Sequence, residues 1–449
     1  MLYSIRDFSF TYPFSSNKIK ITGHIEINQG DVVLVNGISG SGKSTLLYAL
    51  KGLLPDVIFG DMAGEILYNG VPINTLSVLE KLKIGFVQQN PDSQIINREV
   101  FQELSFGLEN LALSPEKIKE KIYTITKRFK LDYLLHRDTN TLSGGEKQRL
   151  VLLSIIMTNP DVILLDEPTA FLDSSAAQQF MQLLYEVRQN KTIIIIEHNI
   201  HYVKDIINRY FKIDTDGVVK EFPISELDKQ SETDKFVENH ERVKFDIQAI
   251  HEYMPLLQIK NLSYSYTKTH QVLDNVNITV YSKHILGVIG KSGVGKSTLF
   301  KIIARLIKTK NKIWLNNTDI FRFSNKEFYS QVGLLFQNPE NHFLYSSVAQ
   351  ELKNDAQLLS EFNLHGSTEQ NPFTLSEGQK RRLSFAILKQ SFNRKLYLLD
   401  EPTFGQDFRN KSALVDLIRQ MRDIGASFII VSHDYNFVNA VCDNIVELD

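Results

Sequence analysis

The chain carries the same glycine-rich loop twice. The first copy, GISGSGKS, occupies residues 37–44 between an apolar run at 32–35 and the sequence TLLYAL, and the second, GKSGVGKS, occupies residues 290–297. One such match arises by chance in a chain of this length at about the per-cent level. Lys296, however, follows Lys43 by 253 positions, and the flanking segments recur in the same order. The sequence therefore predicts a duplication of one phosphate-binding domain.

Apolar strand, glycine loop and helix together form a phosphate cradle. The glycines let backbone N–H groups turn inward toward phosphate oxygens, with the positive end of the next helix behind them. The lysine adds a point charge for the outer phosphates, and the serine hydroxyl suits Mg²⁺. The candidate nucleotide-binding residues in these loops are Gly37, Ser39, Gly40, Ser41, Gly42, Lys43, Ser44 and Thr45, and then Gly290, Ser292, Gly293, Gly295, Lys296, Ser297 and Thr298.

Length and composition restrict the class of protein. A chain of 449 residues suits two or three domains, and 43% hydrophobic with 23% charged residues is ordinary for a globular protein. The 50 basic and 52 acidic side chains leave a net charge of −2, which argues against a global attraction to nucleic acid or anionic lipid. Cys442 is the only cysteine, so an intrachain disulfide is impossible and a reducing, cytoplasmic setting is expected.

The N-terminal sequence MLYSIRDFSF lacks the basic and apolar regions of a signal peptide, and no run approaches the eighteen or so apolar residues of a membrane helix. We therefore expect any membrane association to depend on a protein partner.

A small antiparallel sheet is predicted before the first cradle, because residues 2–12 and 19–27 alternate apolar with polar side chains. Tyr12 lies 31 positions before Lys43, and Tyr266 lies 30 positions before Lys296. Two interpretations stay open: these aromatics stack on adenine, or they belong to the core of the small sheet.

Two glutamines occupy matching positions after predicted strands, Gln89 in IGFVQQNPDSQ and Gln337 in VGLLFQNPENH. Each amide could reach a metal ion or an attacking water. Residues 100–140 are predicted to be helical and charged. Their lysines are better explained as a solvated helix face than as a nucleic-acid site.

The next segments carry acidic and basic candidates. TLSGGEKQRL, residues 141–150, places a Ser-Gly-Gly turn at a helix N-terminus that suits an anion. DVILLDEP, residues 161–168, predicts a buried parallel strand ending in Asp166 and Glu167, which suit Mg²⁺ and a water molecule respectively. TIIIIEH predicts a further buried strand, and it places His198 beside them for phosphate contact.

The same order restarts after a charged segment. LSEGQKRR (375–382), LYLLDEP (396–402) and FIIVSHD (428–434) repeat the turn, the acidic strand and the histidine strand. The second copy is shorter, and fifteen of the missing residues fall between Gln337 and Ser376, in the predicted helical insertion. The predicted organisation is a first domain at 1–225, a linker at 226–255 and a second domain at 256–449.

With all these motifs present twice and in one order, the chain resembles ATP-binding-cassette (ABC) ATPases. The resemblance covers nearly the whole chain. It implies an α/β fold with two tandem P-loop NTPase domains, each with a parallel core sheet, a small antiparallel β subdomain and a helical subdomain. It also implies ATP and Mg²⁺ as cofactors. The implied catalytic residues are Glu167, Glu401, His198, His433, Gln89 and Gln337, and the implied metal ligands are Ser44, Asp166, Ser297 and Asp400.

In that family two cassettes pack head to tail, and each ATP lies between the Walker motifs of one and the signature turn of the other. The two fused domains would then form an intramolecular dimer. The resemblance implies that the cradle of the first copy, with Tyr12, meets Ser376 and Gly378. It implies that the cradle of the second copy, with Tyr266, meets Ser143, Gly144 and Gly145. Asp173 and Asp407 match the acidic residue that crosses the dimer interface.

Within the family, QNPDSQ at 89–94 and FGLEN at 106–110 resemble the ATPases of energy-coupling-factor (ECF) transporters, which power vitamin or transition-metal uptake. The implied partners are an integral membrane scaffold and a solute-binding membrane component. The implied location is the cytoplasmic face of the cell membrane. The second copy departs from this pattern at His342, Glu377 and Gln406. Because Glu377 adds negative charge to the turn facing the first ATP, we expect unequal hydrolysis at the two sites.

Three alternatives stay open. A translation-factor ABC protein is also a fused pair but acts on the ribosome; such proteins resemble one another in a long helical linker, whereas about thirty residues of mixed charge separate these copies. A sugar-importer ATPase is disfavoured by the QNPxxQ sequence. A nucleotide-gated interaction protein without turnover is disfavoured by Glu167 and Glu401. No nucleic-acid partner is expected.

Overall fold

The computed structural model describes residues 1–13, 18–38, 40–170, 172, 174–229, 255–267, 270–290, 293–309, 312–391, 393–403 and 408–448. The chain divides into two compact units, Met1–Ser231 and Glu232–Asp449. Each unit is described by itself below.

The first unit contains ten strands and seven α-helices among its described residues. The strands are β1 Tyr3–Thr11, β2 Lys18–Ile27, β3 Val32–Gly37, β4 Asp61–Tyr68, β5 Val71–Pro72, β6 Ile84–Val87, β7 Val162–Asp166, β8 Thr192–Ile196, β9 Arg209–Ile213 and β10 Val219–Phe222. The helices are α1 Lys43–Leu50, α2 Val78–Leu82, α3 Val100–Asn110, α4 Pro115–Arg128, α5 Gly144–Met157, α6 Ser174–Val187 and α7 Ile200–Val203.

The core sheet of the first unit has six strands in the order β10-β9-β3-β8-β7-β6. All neighbours in it are parallel except the hairpin β9–β10. Strands β3, β6, β7 and β8 are buried along their whole length, which explains why their sequences are apolar runs without alternation. Helices pack on both faces, giving two apolar clusters.

The small antiparallel sheet has the order β2-β1-β4-β5. Strand β2 alternates between exposed and buried residues, as predicted. Strand β1 does not, because it lies between β2 and β4 and most of its residues are buried on both faces. The predicted half-buried character of β1 is therefore wrong, although its predicted position in an antiparallel sheet is correct.

The second unit repeats this plan among its described residues. Its strands are β11 Pro255–Thr267, β12 His270–Tyr281, β13 Ile285–Gly290, β14 Ile313–Leu315, β15 Thr318–Asp319, β16 Val332–Leu335, β17 Leu396–Asp400, β18 Ser427–Val431 and β19 Asn444–Leu448. Its helices are α8 Lys296–Ile303, α9 Asn325–Gln331, α10 Val348–Glu351, α11 Ala356–Glu361, α12 Glu377–Gln390, α13 Phe408–Asp423 and α14 Tyr435–Val441.

The core sheet of the second unit is wholly parallel, in the order β16-β17-β18-β13-β19, and the small sheet is β12-β11-β14-β15. The missing residues of this copy come from the helical subdomain. Helices α10 and α11 have four and six residues, whereas their counterparts α3 and α4 have eleven and fourteen. The predicted α/β architecture with two copies of one domain is confirmed.

Most of the predicted linker, 226–255, lies outside the described residues. Ile224–Lys229 form a short 3₁₀ segment that extends into its first residues. In the part of the chain that the structure describes, no helix has the length and apolar character needed to cross a membrane.

Candidate nucleotide-binding and hydrolysis sites

The strand order of each core sheet brings the predicted site residues to one edge. In the first unit β3, β8, β7 and β6 are neighbours, so the glycine loop after β3 lies next to His198, then the Asp166–Glu167 pair, then Gln89. The second unit gives the same sequence of neighbours through β13, β18, β17 and β16. This edge is formed by the carboxyl ends of parallel strands, where ligands bind in open α/β sheets.

The glycine loops have the conformation of a phosphate cradle. Gly42 and Gly295 precede α1 and α8 with φ of 89° and 106°, a left-handed conformation that favours glycine. Lys43 donates from Nζ to the carbonyl oxygens of Gly37 and Ile38 at 2.8 and 2.9 Å. Lys296 donates to Gly290 O at 2.7 Å. Each buried ammonium group is therefore folded onto its own loop, at the mouth of the helix N-terminus.

The predicted aromatics lie beside these loops. The Tyr12 hydroxyl is 3.0 Å from Thr45 Oγ1, and the Tyr266 hydroxyl is 3.2 Å from Thr298 Oγ1. Tyr12 is half-buried, whereas Tyr266 is 53% exposed. The ring of Tyr12 also packs against Phe10 and the apolar cluster of the small sheet, so both interpretations of these tyrosines stay open.

The buried aspartates fit a metal ion. Asp166 and Asp400 are 4% and 7% exposed, and Oδ1 of each is buried without a hydrogen-bond partner among the described residues. Burial, followed by the charge of the adjacent glutamate, raises the pKa of each aspartate to about 7. Ser44 opposes this shift in the first unit through a hydrogen bond. A buried carboxylate oxygen without a partner suits Mg²⁺ completed by phosphate oxygens, and in the first unit the Ser44 hydroxyl lies beside it as a second oxygen ligand.

In the first unit the candidate base, Glu167, contacts two predicted site residues. Gln89 donates from Nε2 to Glu167 Oε2 at 2.8 Å, and His198 Nε2 lies 3.1 Å from Glu167 Oε1. Burial lowers the pKa of His198, but its interactions with Glu167 outweigh this and the net shift is upward. The structure thus brings Gln89, Glu167 and His198 together as the sequence predicted.

In the second unit the corresponding glutamine stands apart. Glu401 Oε2 lies 2.9 Å from His433 Nδ1 and accepts hydrogen bonds from His433 N at 3.2 Å and Ser432 Oγ at 3.1 Å. Gln337 is exposed, and within the described residues its side chain forms no hydrogen bond. The pairing seen in the first unit therefore does not occur in the second unit of this structure.

Two buried residues that the motifs do not include, Glu197 and Ser432, directly precede the histidines. Glu197 is 3% exposed and Ser432 is fully buried. The sequence does contain a signal for Glu197: it ends an otherwise apolar strand, TIIIIE, and a buried carboxylate requires hydrogen-bond partners.

The signature serines cap the helices that follow them. Ser143 accepts a hydrogen bond from Glu146 N, and Ser376 accepts one from Gln379 N, in matching capping boxes. The carboxylate of Glu146 is paired with Arg137 at 3.1 Å, so the charge close to the first signature turn is compensated. Gly145 has a packing role as well, because a Cβ there would lie 2.7 Å from Ala176 Cβ.

Several predicted residues lie outside the described part of the chain: Ser39, Ser292, Asp173, Asp407 and Gln406. The side chain of Glu377 is likewise outside it.

A second feature missed in the sequence is a buried glutamate in each helical subdomain. Glu103 Oε2 accepts hydrogen bonds from Ile96 N at 3.0 Å and Asn97 N at 2.8 Å. Glu351 Oε1 accepts from Leu344 N and, at 2.7 Å, from Tyr345 N. We call residues 94–97 and 342–345 the docking loops. Each is fixed by one carboxylate but keeps an apolar side chain exposed.

The departure at His342 preserves a hydrogen bond. Gln94 accepts from Gln88 N at 2.6 Å, and His342 Nε2 accepts from the matching Phe336 N at 2.9 Å. Burial, and then the charge of Arg381, lowers the pKa of His342 to about 4, so the imidazole is neutral and can accept at neutral pH.

A family model described as ABC transporter matches residues 23–170 and 273–404, more than half of the chain. The chain belongs to the ABC transporter family. It is an ABC ATPase with two ATP-binding domains, and the resemblance predicted from its motifs is confirmed.

Similar proteins match over nearly the whole length. A Bacillus subtilis protein provisionally named an HMP/thiamine import ATP-binding protein is 28% identical over 492 residues, covering 100% of this chain and 90% of the relative. A Sulfurisphaera tokodaii protein provisionally named an ABC transporter ATP-binding protein is 30% identical, covering 97% and 94%.

Among solved structures, an archaeal ribosome recycling factor, aABCE1, in complex with the ribosomal stalk protein aP1 matches with a TM-score of 0.61. The match has 18% identity and covers 98% of this chain and 87% of that chain. A likeness at this identity shows the fold alone, a tandem ABC architecture.

Proposed function

We propose that this ABC ATPase powers a membrane importer of the energy-coupling-factor type, for a vitamin or a transition-metal ion. In this proposal the chain binds a polytopic scaffold and a small solute-binding membrane protein at the cytoplasmic face of the membrane. ATP binding and hydrolysis supply the energy for moving the solute.

The observation that carries the proposal is the pair of docking loops. Ile96 is 70% exposed and Leu344 is 84% exposed, yet each loop is fixed through backbone N–H groups by a buried glutamate. Fixing an exposed apolar side chain favours binding to another protein, because little conformational entropy is lost when the partner docks.

The two docking surfaces differ, which supports a partner with two unlike contact helices over a symmetric one. The second unit has a cleft of about 590 Å³ whose lining includes Leu334, His342, Leu344 and Arg394. The first unit has Gln94 in place of His342, and longer helices α3 and α4 beside the loop. A single scaffold subunit with two different cytoplasmic helices suits such a pair. The name of the Bacillus subtilis relative, an import ATP-binding protein, points the same way.

For the chemistry, we propose two composite ATP sites. The first site would bring the signature turn at Ser376 and Gly378 to the first cradle, with its Lys43, Ser44, Asp166, Glu167 and His198. The second site would bring Ser143, Gly144 and Gly145 to the second cradle. Mg²⁺ held by Ser44 and Asp166, or by Ser297 and Asp400, would neutralise phosphate charge. Each lysine would leave its loop carbonyls to bind the outer phosphates. Each glutamate would orient the attacking water, and each histidine would contact the γ-phosphate.

The rival function is action on the ribosome. The likeness to the recycling factor extends only to the fold, and the net charge of −2 gives no general attraction to RNA.

A tagged chain, expressed with its neighbouring genes and extracted in detergent, tests the importer function against the ribosomal one. We expect one polytopic membrane protein and one small membrane protein to co-purify with it. Sedimentation with ribosomes and absence from membranes would contradict the importer function.

A further inference from the structure

The residue before each histidine differs in chemistry between the units. We call residues 197–199 and 432–434 the histidine turns. Glu197 begins the first turn and Ser432 begins the second, and both accept a hydrogen bond from the backbone N–H two positions later, at 3.1 Å in each unit. The two residues therefore occupy equivalent positions with different side chains.

The histidine N–H goes to different acceptors as a result. The longer side chain of Glu197 reaches back to its own turn, and its Oε1 accepts from His198 N at 3.0 Å. The other carboxylate oxygen accepts from Thr169 Oγ1 at 2.8 Å. A serine is too short to do this, so His433 N donates to Glu401 Oε2 instead, and the Ser432 hydroxyl donates to the same oxygen.

The candidate bases are consequently held in two ways. Glu401 is tied to the histidine turn by Ser432 Oγ, His433 N and His433 Nδ1, all through Oε2. Glu167 receives the Gln89 amide on Oε2 and His198 Nε2 on Oε1. The glutamate of the first unit is thus connected to the Q-loop, residues 88–94, which leads directly into the docking loop. The glutamate of the second unit is held by its own histidine turn.

We propose that Glu197 and Ser432 are positioning residues, which decide whether the glutamate beside the metal-binding aspartate is held by the Q-loop or by the histidine turn. Hydrolysis by the first unit then depends on the position of the Q-loop, and hydrolysis by the second unit does so much less. The proposal rests on the proposed roles of Glu167 and Glu401 in orienting water. It is independent of the importer assignment.

The test is single-turnover ATP hydrolysis by the full chain in two backgrounds. Glu167→Gln leaves Glu401 as the sole intact glutamate, and Glu401→Gln leaves Glu167. In the first background, Ser432→Ala should slow hydrolysis at saturating ATP about fivefold, because the carboxylate loses one charge-assisted hydrogen bond. The ATP concentration that gives half the maximal rate should change less than twofold.

Two matched controls separate positioning from a general structural effect. Ser432→Thr keeps the hydroxyl and should restore the rate to within twofold of the Glu167→Gln parent. Ser432→Ala in the Glu401→Gln background should cause a smaller loss, at most half of the loss in the Glu167→Gln background. Equal losses in both backgrounds, no loss in either, or failure of Ser432→Thr to restore the rate would each overturn the proposal.

The first unit supplies an independent arm. In the Glu401→Gln background, Gln89→Ala is compared with and without Glu197→Ser. Glu197→Ser should free the His198 N–H to donate to Glu167. The loss of hydrolysis rate caused by Gln89→Ala should then be at least threefold smaller than without Glu197→Ser. Equal effects of Gln89→Ala with and without Glu197→Ser would overturn the proposal for this unit. Undiminished hydrolysis by the double Glu167→Gln, Glu401→Gln chain would instead show that the proposed water-orienting roles are wrong.

Discussion

The hydroxyl of Tyr12 lies 3.0 Å from Oγ1 of Thr45, and Tyr266 meets Thr298 in the same way at 3.2 Å. Each contact joins an aromatic in or directly after a strand of the small antiparallel sheet to the first turn of the helix behind the phosphate cradle. The small sheet of each unit is therefore tied to the first turn of the helix that follows the glycine loop.

Two substitutions at Tyr266 distinguish stacking of the ring on adenine from a purely structural role of its hydroxyl contact. If the ring stacks on adenine, Tyr266→Ala should weaken ATP binding about tenfold, because base–aromatic stacking contributes about 1–3 kcal/mol. Tyr266→Phe keeps the ring and should bind ATP within about threefold of the parent. Fluorescent-nucleotide titration of both variants checks this. Equal weakening by both variants would mean that the hydroxyl contact, and not the ring, is what matters.

The fixed docking loops give a coupling prediction. Glu103→Ala and Glu351→Ala each leave two partly buried loop N–H groups without their acceptor, at a local cost of about 1 kcal/mol. We expect nucleotide binding to be retained and solute uptake per ATP hydrolysed to fall several-fold in reconstituted vesicles. Glu103→Gln and Glu351→Gln keep an acceptor oxygen and serve as matched controls.

Exchanging residues 338–375 for 90–142 should likewise break the coupling of hydrolysis to uptake and spare nucleotide binding. Normal uptake by the alanine variants and by the exchange variant would contradict the role of the loops.

His342 gives a pH prediction. Because burial holds its folded pKa at about 4, below the ordinary value near 6.5, the folded state resists protonation there. Its contribution to stability is present above pH 6.5 and is lost as the pH falls toward 4, up to about 3 kcal/mol.

His342→Gln copies the acceptor of the first unit, Gln94, and should reduce the fall in melting temperature between pH 7 and pH 4.5. His284, whose pKa burial also lowers to about 4, should retain its own share of the acid sensitivity. Thermal unfolding across this pH range measures both effects. An unchanged pH slope in His342→Gln would show that the imidazole is not the acceptor of the Phe336 N–H.

The two ATP sites are expected to be unequal. Glu377 replaces a glycine of the signature turn that we propose to face the first cradle, and it adds negative charge near a γ-phosphate. We therefore expect Glu401→Gln to slow steady-state hydrolysis more than Glu167→Gln. The steady-state hydrolysis rates of both variants are compared at saturating ATP. Adding Glu377→Gly to each variant is the control, and it should bring the two losses of rate closer together. Equal losses or the reverse order would refute this expectation.

The sequence predicts which site residues lie close together when their proximity follows from the order of the strands. A buried apolar strand ending in a polar motif places that motif at the carboxyl edge of the sheet, which is why Asp166, Glu167 and His198 were found together. Orientation of individual side chains was not predictable. The His198 N–H is bound by Glu197, whereas the His433 N–H is bound by Glu401, and no local sequence pattern shows which carboxylate accepts it.

Burial set by tertiary pairing was also hidden. The sequence of β1 alternates like a half-exposed strand, but its position between β2 and β4 covers most of it on both faces. In the sequence, the exchange of Gln94 for His342 is a departure from the pattern. The structure shows instead that a neutral imidazole takes over the amide's hydrogen bond to the Q-loop backbone.

The central claim, ATP hydrolysis by both cradles, is tested most directly by steady-state phosphate release with Mg²⁺ and ATP. Lys43 and Lys296 are the buried cations of the two glycine loops. The double variant Lys43→Ala, Lys296→Ala should lose hydrolysis by at least a hundredfold, whereas the control pair Lys117→Ala, Lys326→Ala, both exposed, should keep it. Near-normal phosphate release by the Lys43, Lys296 double variant would contradict the account.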